Sequence, residues 1–232
     1  MIVILLKIKM LKDAPIKDKQ KMNYLDIVEA KEVFRKRSII TRALRSYLDH
    51  EEFLEVETPV LQPLYGGANA RPFKTHHNSL DQTFYLRIAD ELYLKRLIVG
   101  GFEKVYEISK NFRNEGMDKN HNPEFTILEL YVAYKDYLWM MEMTEKLFED
   151  LALHVNNSDS VKVEENLISF KAPYPRIPIF DSIKTHTGID ISKMNENELR
   201  KTAKKLNVEI DQTMGEGKII DAIFGEKCEH HY

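Results

Sequence analysis

A single cysteine, Cys228, stands in 232 residues, which excludes an internal disulfide and a multi-cysteine zinc site. A surplus of one charge is lacking too. Lys and Arg number 34 against 37 Asp and Glu, a formal net charge of −3, so no bulk field announces a nucleic-acid partner and any such contact has to be local. Long apolar runs are missing. The opening MIVILL is too short for a signal-peptide core or a bilayer span, and no small-residue cleavage site follows it, so the expectation is a cytoplasmic, reducing home without membrane association. There is no internal repeat and no low-complexity tract. Nor is there a phosphate loop: GEGK at 215–218 has Gln212 where the first glycine would stand and Ile219 after the lysine. The pairs His76-His77 and His230-His231 lack a full ligand set, so no metal site is assigned. Cys228 has no clear base partner and reads as structural.

What is present is enough apolar residue, 43%, to bury a proper core, in one domain plus an appendage. Three segments are expected. Residues 1–30 form a basic N-terminal segment or linker, with Lys7, Lys9, Lys12, Lys17, Lys19 and Lys21 against Asp13 and Asp18. It reads either as a solvated tail or as an arm that touches RNA. Residues 31–180 form the main core and residues 181–232 a helical, insertion-like segment.

Within the core, Val33, Phe34, Ile40, Ala43, Leu44, Tyr47 and Leu48 recur at helical spacing. FLEVETPVLQP then alternates like a strand until Pro59 denies the ladder a donor. A long helix feeding an edge strand is a plausible dimer element. The loop YGGANARPF follows, its Gly66-Gly67 pair open to backbone conformations other residues resist. TFYLRIA predicts a strand, DELYLKRLIVGG a helix closed by glycine, 104–113 and 124–132 a hairpin, and 136–153 another amphipathic helix. Beyond 155 come a polar stretch, NNSDS, short β-like pieces (LISF, PRIPIF), and helical patterns at 181–187, 195–206 and 216–227.

The hairpin carries the chemistry. Alternation puts Glu107, Ser109, Asn111 and Arg113 on one side of the first strand, and Phe125, Ile127, Glu129 and Tyr131 on one side of the second. If these rows share a face, one surface holds a guanidinium, an aromatic plate, a carboxylate and a phenol. The turn NEGMDKNHNP is long and adds Glu115, His121 and Asn122. Arg presents a planar fork to phosphate or carboxylate, Phe a stacking face for a base, and Glu an acceptor for an exocyclic amine. Those are the parts of a nucleotide site; a solvated edge hairpin with incidental ion pairs is the other reading.

FRNEG followed by HNPEFT and LELY resembles motif 2 of the class II aminoacyl-tRNA synthetases, and FLEVETPVL resembles their motif 1. With GGANARPFKTHHNSLD and FYLRIADELYLKRLIVGGFEKVYEISKNFRNEG, the stretch from about residue 24 onward is similar to the class II lysyl-tRNA synthetases. Ala-Asp-Glu at 89–91, where the aspartate- and asparagine-specific relatives have Ser-Pro-Gln, points to lysine.

The resemblance implies an α+β fold, an antiparallel sheet flanked by helices and incomplete at its C-terminal end. It also implies a homodimer built on motif 1 with Pro59 at the interface, and the partners lysine and tRNA(Lys). ATP is the implied co-substrate, with Mg²⁺ whose protein ligands are expected beyond the residues given. For ATP it implies Arg113 on the α-phosphate, Phe125 on adenine, Glu115 and Asn122 at the base edge, and His121 at the distal phosphates. For lysine it implies Gly67, Glu91, Arg113, Glu129 and Tyr131, although Glu91 could simply sit in a first helical turn and Glu129 pair with a strand neighbour. The family's anticodon-reading OB-fold and the Gly-rich, Arg-bearing motif 3 have no counterpart in these residues. A truncated ligase is therefore the expectation, with a dimerising or RNA-binding fragment, or a relative that aminoacylates protein, as alternatives.

Overall fold

A computed structural model describes residues 4–6, 24–118, 121–163 and 165–232. Most of the basic N-terminal stretch, including all six of its lysines, lies outside the described residues. Two compact units divide between Tyr174 and Pro175, so the boundary expected at 180 falls inside a helix.

The first unit is built on a four-stranded sheet. Its elements are β1 (Ile4–Leu6), α1 (Tyr24–His50), β2 (Leu54–Glu55), β3 (Leu61–Gln62), β4 (Lys74–His77) and β5 (Gln82–Leu86). There follow α2 (Glu91–Val99), β6 (Lys104–Phe112), β7 (Glu124–Val132), α3 (Tyr137–Asn156), β8 (Ser160–Val163) and β9 (Asn166–Ser169). The main sheet runs β1-β7-β6-β2, a smaller one β3-β5-β4, and β8-β9 form a separate hairpin. The expected wholly antiparallel sheet needs correction, because β2 runs parallel to β6, Leu54 beside Val105 and Glu55 beside Tyr106. The chain reaches that edge from α1 through a turn at Glu51 and Glu52, and Glu52 adopts a left-handed φ of 61°. The ladder then ends after two residues, well before Pro59. Phe53 is buried and Leu54 exposed, so the longer alternation read from the sequence describes chain outside any ladder.

Apolar residues on one side of the β6–β7 hairpin, Tyr106, Leu128, Leu130 and Val132, join Ala43, Leu44 and Leu48 of α1 and Met140, Met143, Leu147 and Leu151 of α3. This is the principal core. Helix α3 starts where the Asp136 carboxylate accepts from Trp139 N at 2.9 Å and stops at Asn157 in the left-handed conformation, both capping solutions for orphan helix ends. That stop is what turns the polar NNSDS stretch into the entry of β8, a strand the sequence did not betray.

The second unit contains α4 (Ile179–Thr187), α5 (Glu196–Lys205) and α6 (Glu216–Lys227), then a single 3₁₀ turn at Glu229–His231. PRIPIF is not strand but the lead into α4, whose N-cap is Pro178; prolines at 173, 175 and 178 remove the donors a ladder would need. A capping box between Asn195 and Glu198 starts α5. Ile183, Ile191, Leu199, Ala203, Val208, Ile219, Ile223 and the free Cys228 fill the core of this unit.

Candidate active site

The register of the hairpin decides whether the polar rows meet. Val105 lies opposite Tyr131, Glu107 opposite Glu129, Ser109 opposite Ile127 and Asn111 opposite Phe125, so the two rows share one face. One part of the parity reading changes, because this face is not open to solvent: Glu107, Ser109, Asn111, Glu129 and Tyr131 are all buried. Helix α2 covers part of it, with Leu94 packed against Val105 and Tyr131. The strand-to-helix connection from Arg87 to Asp90 is buried as well.

Buried charge must be paired or lose its proton. Arg87 settles part of the account. Its Nη1 donates to Glu107 Oε1 at 2.7 Å and to the Thr58 carbonyl at 3.0 Å, while Thr58 Oγ1 donates to Glu107 Oε2 at 2.6 Å, so Glu107 is fully satisfied. Glu129 is held from two elements: Tyr131 OH donates to Oε1 at 2.6 Å, and the Asp90 backbone N–H donates to Oε2 at 3.3 Å. Burial outweighs those bonds and raises the Glu129 carboxyl to about 7, helped by the neighbouring Asp90 and Glu91. Burial likewise raises Asp90 to about 6, against the Ser109 hydroxyl, which donates to Oδ2 at 2.5 Å. Burial first, and the Glu129 bond second, raise the Tyr131 phenol above its ordinary range, keeping it a donor.

Glu91 opens α2 and pairs with Lys95 one turn on. Gly67 lies directly over it with φ +86°; a Cβ there would sit 2.9 Å from Glu91 Cβ and 3.2 Å from Ala89 Cβ. Only glycine brings the loop this close. Glu91, Glu129, Tyr131 and Gly67 are thus gathered around the start of α2.

At the far end of the hairpin the Arg113 guanidinium stands 5.1 Å from the centre of the Phe125 ring and reaches the Ile88 carbonyl at 3.4 Å. Glu115 accepts from the Arg71 backbone N–H at 3.3 Å, tying the turn to the loop after Gly67. His121 pairs with Asp118 at 2.7 Å on the exposed turn and not with Arg113. Asn122 is half-buried and Pro59 exposed, its carbonyl taken by Gln62 Nε2 at 3.0 Å. Arg87, Asp90 and Ser109 were not singled out from the sequence. For Ser109 the signal was its place in the polar row and for Asp90 its place in the Ala-Asp-Glu element at 89–91, though neither carried a role; for Arg87 no pattern marks it, since its partners come from three other segments.

The family-model comparison matches residues 16–216 to the class II tRNA synthetases for Asp, Lys and Asn. The chain belongs to this class II synthetase family. Among curated relatives, the lysine–tRNA ligase of Porphyromonas gingivalis is 58% identical over 215 residues, covering 91% of this chain and 37% of that protein. That of Christiangramia forsetii is 57% identical over 212 residues, covering 90% and 37%, and that of Azobacteroides pseudotrichonymphae 54% over 215, covering 91% and 43%. The chain therefore spans less than half the length of these relatives. Among the described residues no helix is long and apolar enough to cross a membrane.

Proposed function

We propose that this chain carries the motif 2 half of a lysine-activating site, in which lysine and ATP give lysyl-adenylate and pyrophosphate before the lysyl group passes to tRNA(Lys) in the cytoplasm. The observation that carries this reading is the gathering of Glu91, Glu129 and Tyr131 under Gly67, a carboxylate-rich cluster against the same hairpin that bears the Arg113–Phe125 pair. An ammonium-bearing ligand is the natural partner of buried carboxylates, and a neutral competitor would leave them unpaired at large cost.

The substrate carboxylate attacks phosphorus directly and needs no general base, so the work is alignment and stabilisation of charge on phosphate oxygens. Arg113 is suited to bridge α-phosphate and carboxylate, since its fork is held by the Ile88 carbonyl on one side and the Phe125 ring on the other. Phe125 then takes adenine, Glu115 and Asn122 its edge, and His121 the distal phosphates. Magnesium is the family's usual counter-ion for pyrophosphate. Among the described residues no three His, Cys, Asp or Glu side chains converge to hold a metal, so none is assigned to it. Residues 175–232 are read as a helical insertion, and α1, β2 and Pro59 as the face on which two copies meet.

Lysine-dependent exchange of label between pyrophosphate and ATP by the purified chain, lost in Arg113→Ala, is the expected result. A second reading, a non-catalytic dimerising module, draws on the exposed apolar residues Phe34, Leu54, Val60, Leu61, Leu64 and Tyr65. A folded dimer with no exchange would select it.

A further inference from the structure

Four carboxylates, Asp90, Glu91, Glu107 and Glu129, cluster with two cations, Arg87 and Lys95. Lys95 is engaged with Glu91 and Arg87 chiefly with Glu107, which leaves Asp90 and Glu129 short of positive charge. Asp90 makes the imbalance visible. It occupies the N-cap position of α2, where a carboxylate ordinarily accepts from the helix's own N–H groups, yet it makes no such bond. Its side chain turns instead to Ser109, and its Oδ1 is buried without a hydrogen-bond donor. Arg87 Nε approaches Oδ1 to 3.3 Å, but its single hydrogen is directed to the Lys110 carbonyl at 2.9 Å. A second buried acceptor, Asn111 Oδ1, also lacks a donor, while Asn111 Nδ2 reaches the same Ser109 hydroxyl at 3.4 Å. A buried carboxylate oxygen with no donor, in a largely buried cluster of four carboxylates and two cations, asks for one more proton.

We propose that, without a bound amine, Asp90 and Glu129 share one proton between them, and that an ammonium group entering beside Glu129 displaces it to solvent. The inference rests on the lysine-site reading above. The balance is simple: one carboxylic O–H bond breaks, its electron pair stays on the carboxylate, the proton goes to buffer, and the ammonium keeps its own protons. The groups facing the pair are Tyr131 from β7, Glu107, Ser109 and Asn111 from β6, Glu91 and Lys95 from α2, and Arg87 from the connection after β5. The arriving ammonium supplies the one positive charge that the departing proton takes away. Burial, which lifts Asp90 to about 6 and Glu129 to about 7, places the exchange near neutral pH. Asp90 thereby acts as a positioning residue: its backbone N–H orients Glu129, and its side chain sets the charge the cluster carries.

Titration calorimetry of the whole chain with lysine, repeated near pH 6.5 in buffers of different ionisation enthalpy, counts the proton. About one proton released per lysine bound is expected in the wild type, falling toward zero per lysine bound in Asp90→Asn. Binding without release in the wild type overturns the inference and leaves the lysine site standing; no binding at all overturns the lysine site itself. Infrared difference spectra of the ligand-free chain supply a readout that needs no lysine. A protonated-carboxyl band that titrates near neutrality and is lost in Asp90→Asn is expected, and its absence in a folded wild type would overturn the shared proton.

Discussion

The two faces of the β6–β7 hairpin are equally dry and chemically opposite. Toward α1 and α3 it presents Tyr106, Leu128, Leu130 and Val132; toward α2 it presents Glu107, Ser109, Asn111 and Glu129, buried just as deeply. Removing apolar area from water stabilises the first face by about 25 cal/mol per Å². The second gains less from burial, since beside Val105, Ile127 and Tyr131 its polar groups only exchange water for one another and leave two acceptors unmet. A single pair of strands thus separates the part of the molecule that holds it together from the part that carries the candidate site.

The largest effect should come from breaking the apolar face. Leu130→Ala, at the centre of the principal core, is expected to cost about 2–5 kcal/mol, read as a shift of the denaturant midpoint at unchanged slope. Glu129→Gln next to it, on the other face, should leave the midpoint within about 1 kcal/mol or raise it, because it removes a buried charge whose partners can still bond an amide. Equal losses in both variants would dissolve the contrast.

A pH series sharpens it. In the folded chain Asp90 keeps its proton to about 6 and Glu129 to about 7, whereas unfolded carboxyls release theirs near 3.9 and 4.3, about two to three units lower. The folded state therefore binds more protons in between, and this contribution is fully present below about pH 4 and lost as pH rises through 7. Exposed pairs such as Arg45–Glu55, whose carboxyl is lowered, pull the opposite way, so the readout is the difference between variant and wild type. Asp90→Asn should gain on the wild type as pH climbs from 4 to 7.5, by on the order of 2 kcal/mol. A flat difference would mean that Asp90 is ionised throughout.

How much of this contrast was legible in the sequence follows from the range of the forces involved. Alternation is a local property, so each strand's own row, with Phe125, Glu129 and Tyr131 in the second, was legible, whereas the sharing of one face is set by the register between the strands. The helices were legible for the same reason, apart from their ends: α1 begins at Tyr24, seven residues before the expected 31. Burial of the polar row was not legible, because it depends on α2 folding back over strands that follow it in the chain. Arg87 stayed anonymous on similar grounds, and Asp90 was legible only as part of the Ala-Asp-Glu element; one bonds Thr58, Glu107 and Lys110, the other Ser109, and no spacing rule joins those positions. The parallel partner of β6 was missed because Pro59 suggested an edge but not its direction.

The smallest effect lies where the apolar face runs out. Lys110 and Glu124 share the row that faces the principal core, yet at its solvent end, and they pair across the hairpin at 3.3 Å with about half of each side chain exposed. Position on the apolar row should then count for nothing, since the pair is screened by solvent and holds two long side chains in one arrangement. A double-mutant cycle of Lys110→Ala and Glu124→Ala is expected to give a coupling below about 0.5 kcal/mol that vanishes in molar salt. A larger, salt-resistant coupling would show that the hairpin tip is held more rigidly than its exposure implies. The energetic boundary between the two faces would then run along the whole hairpin and not end where the core ends.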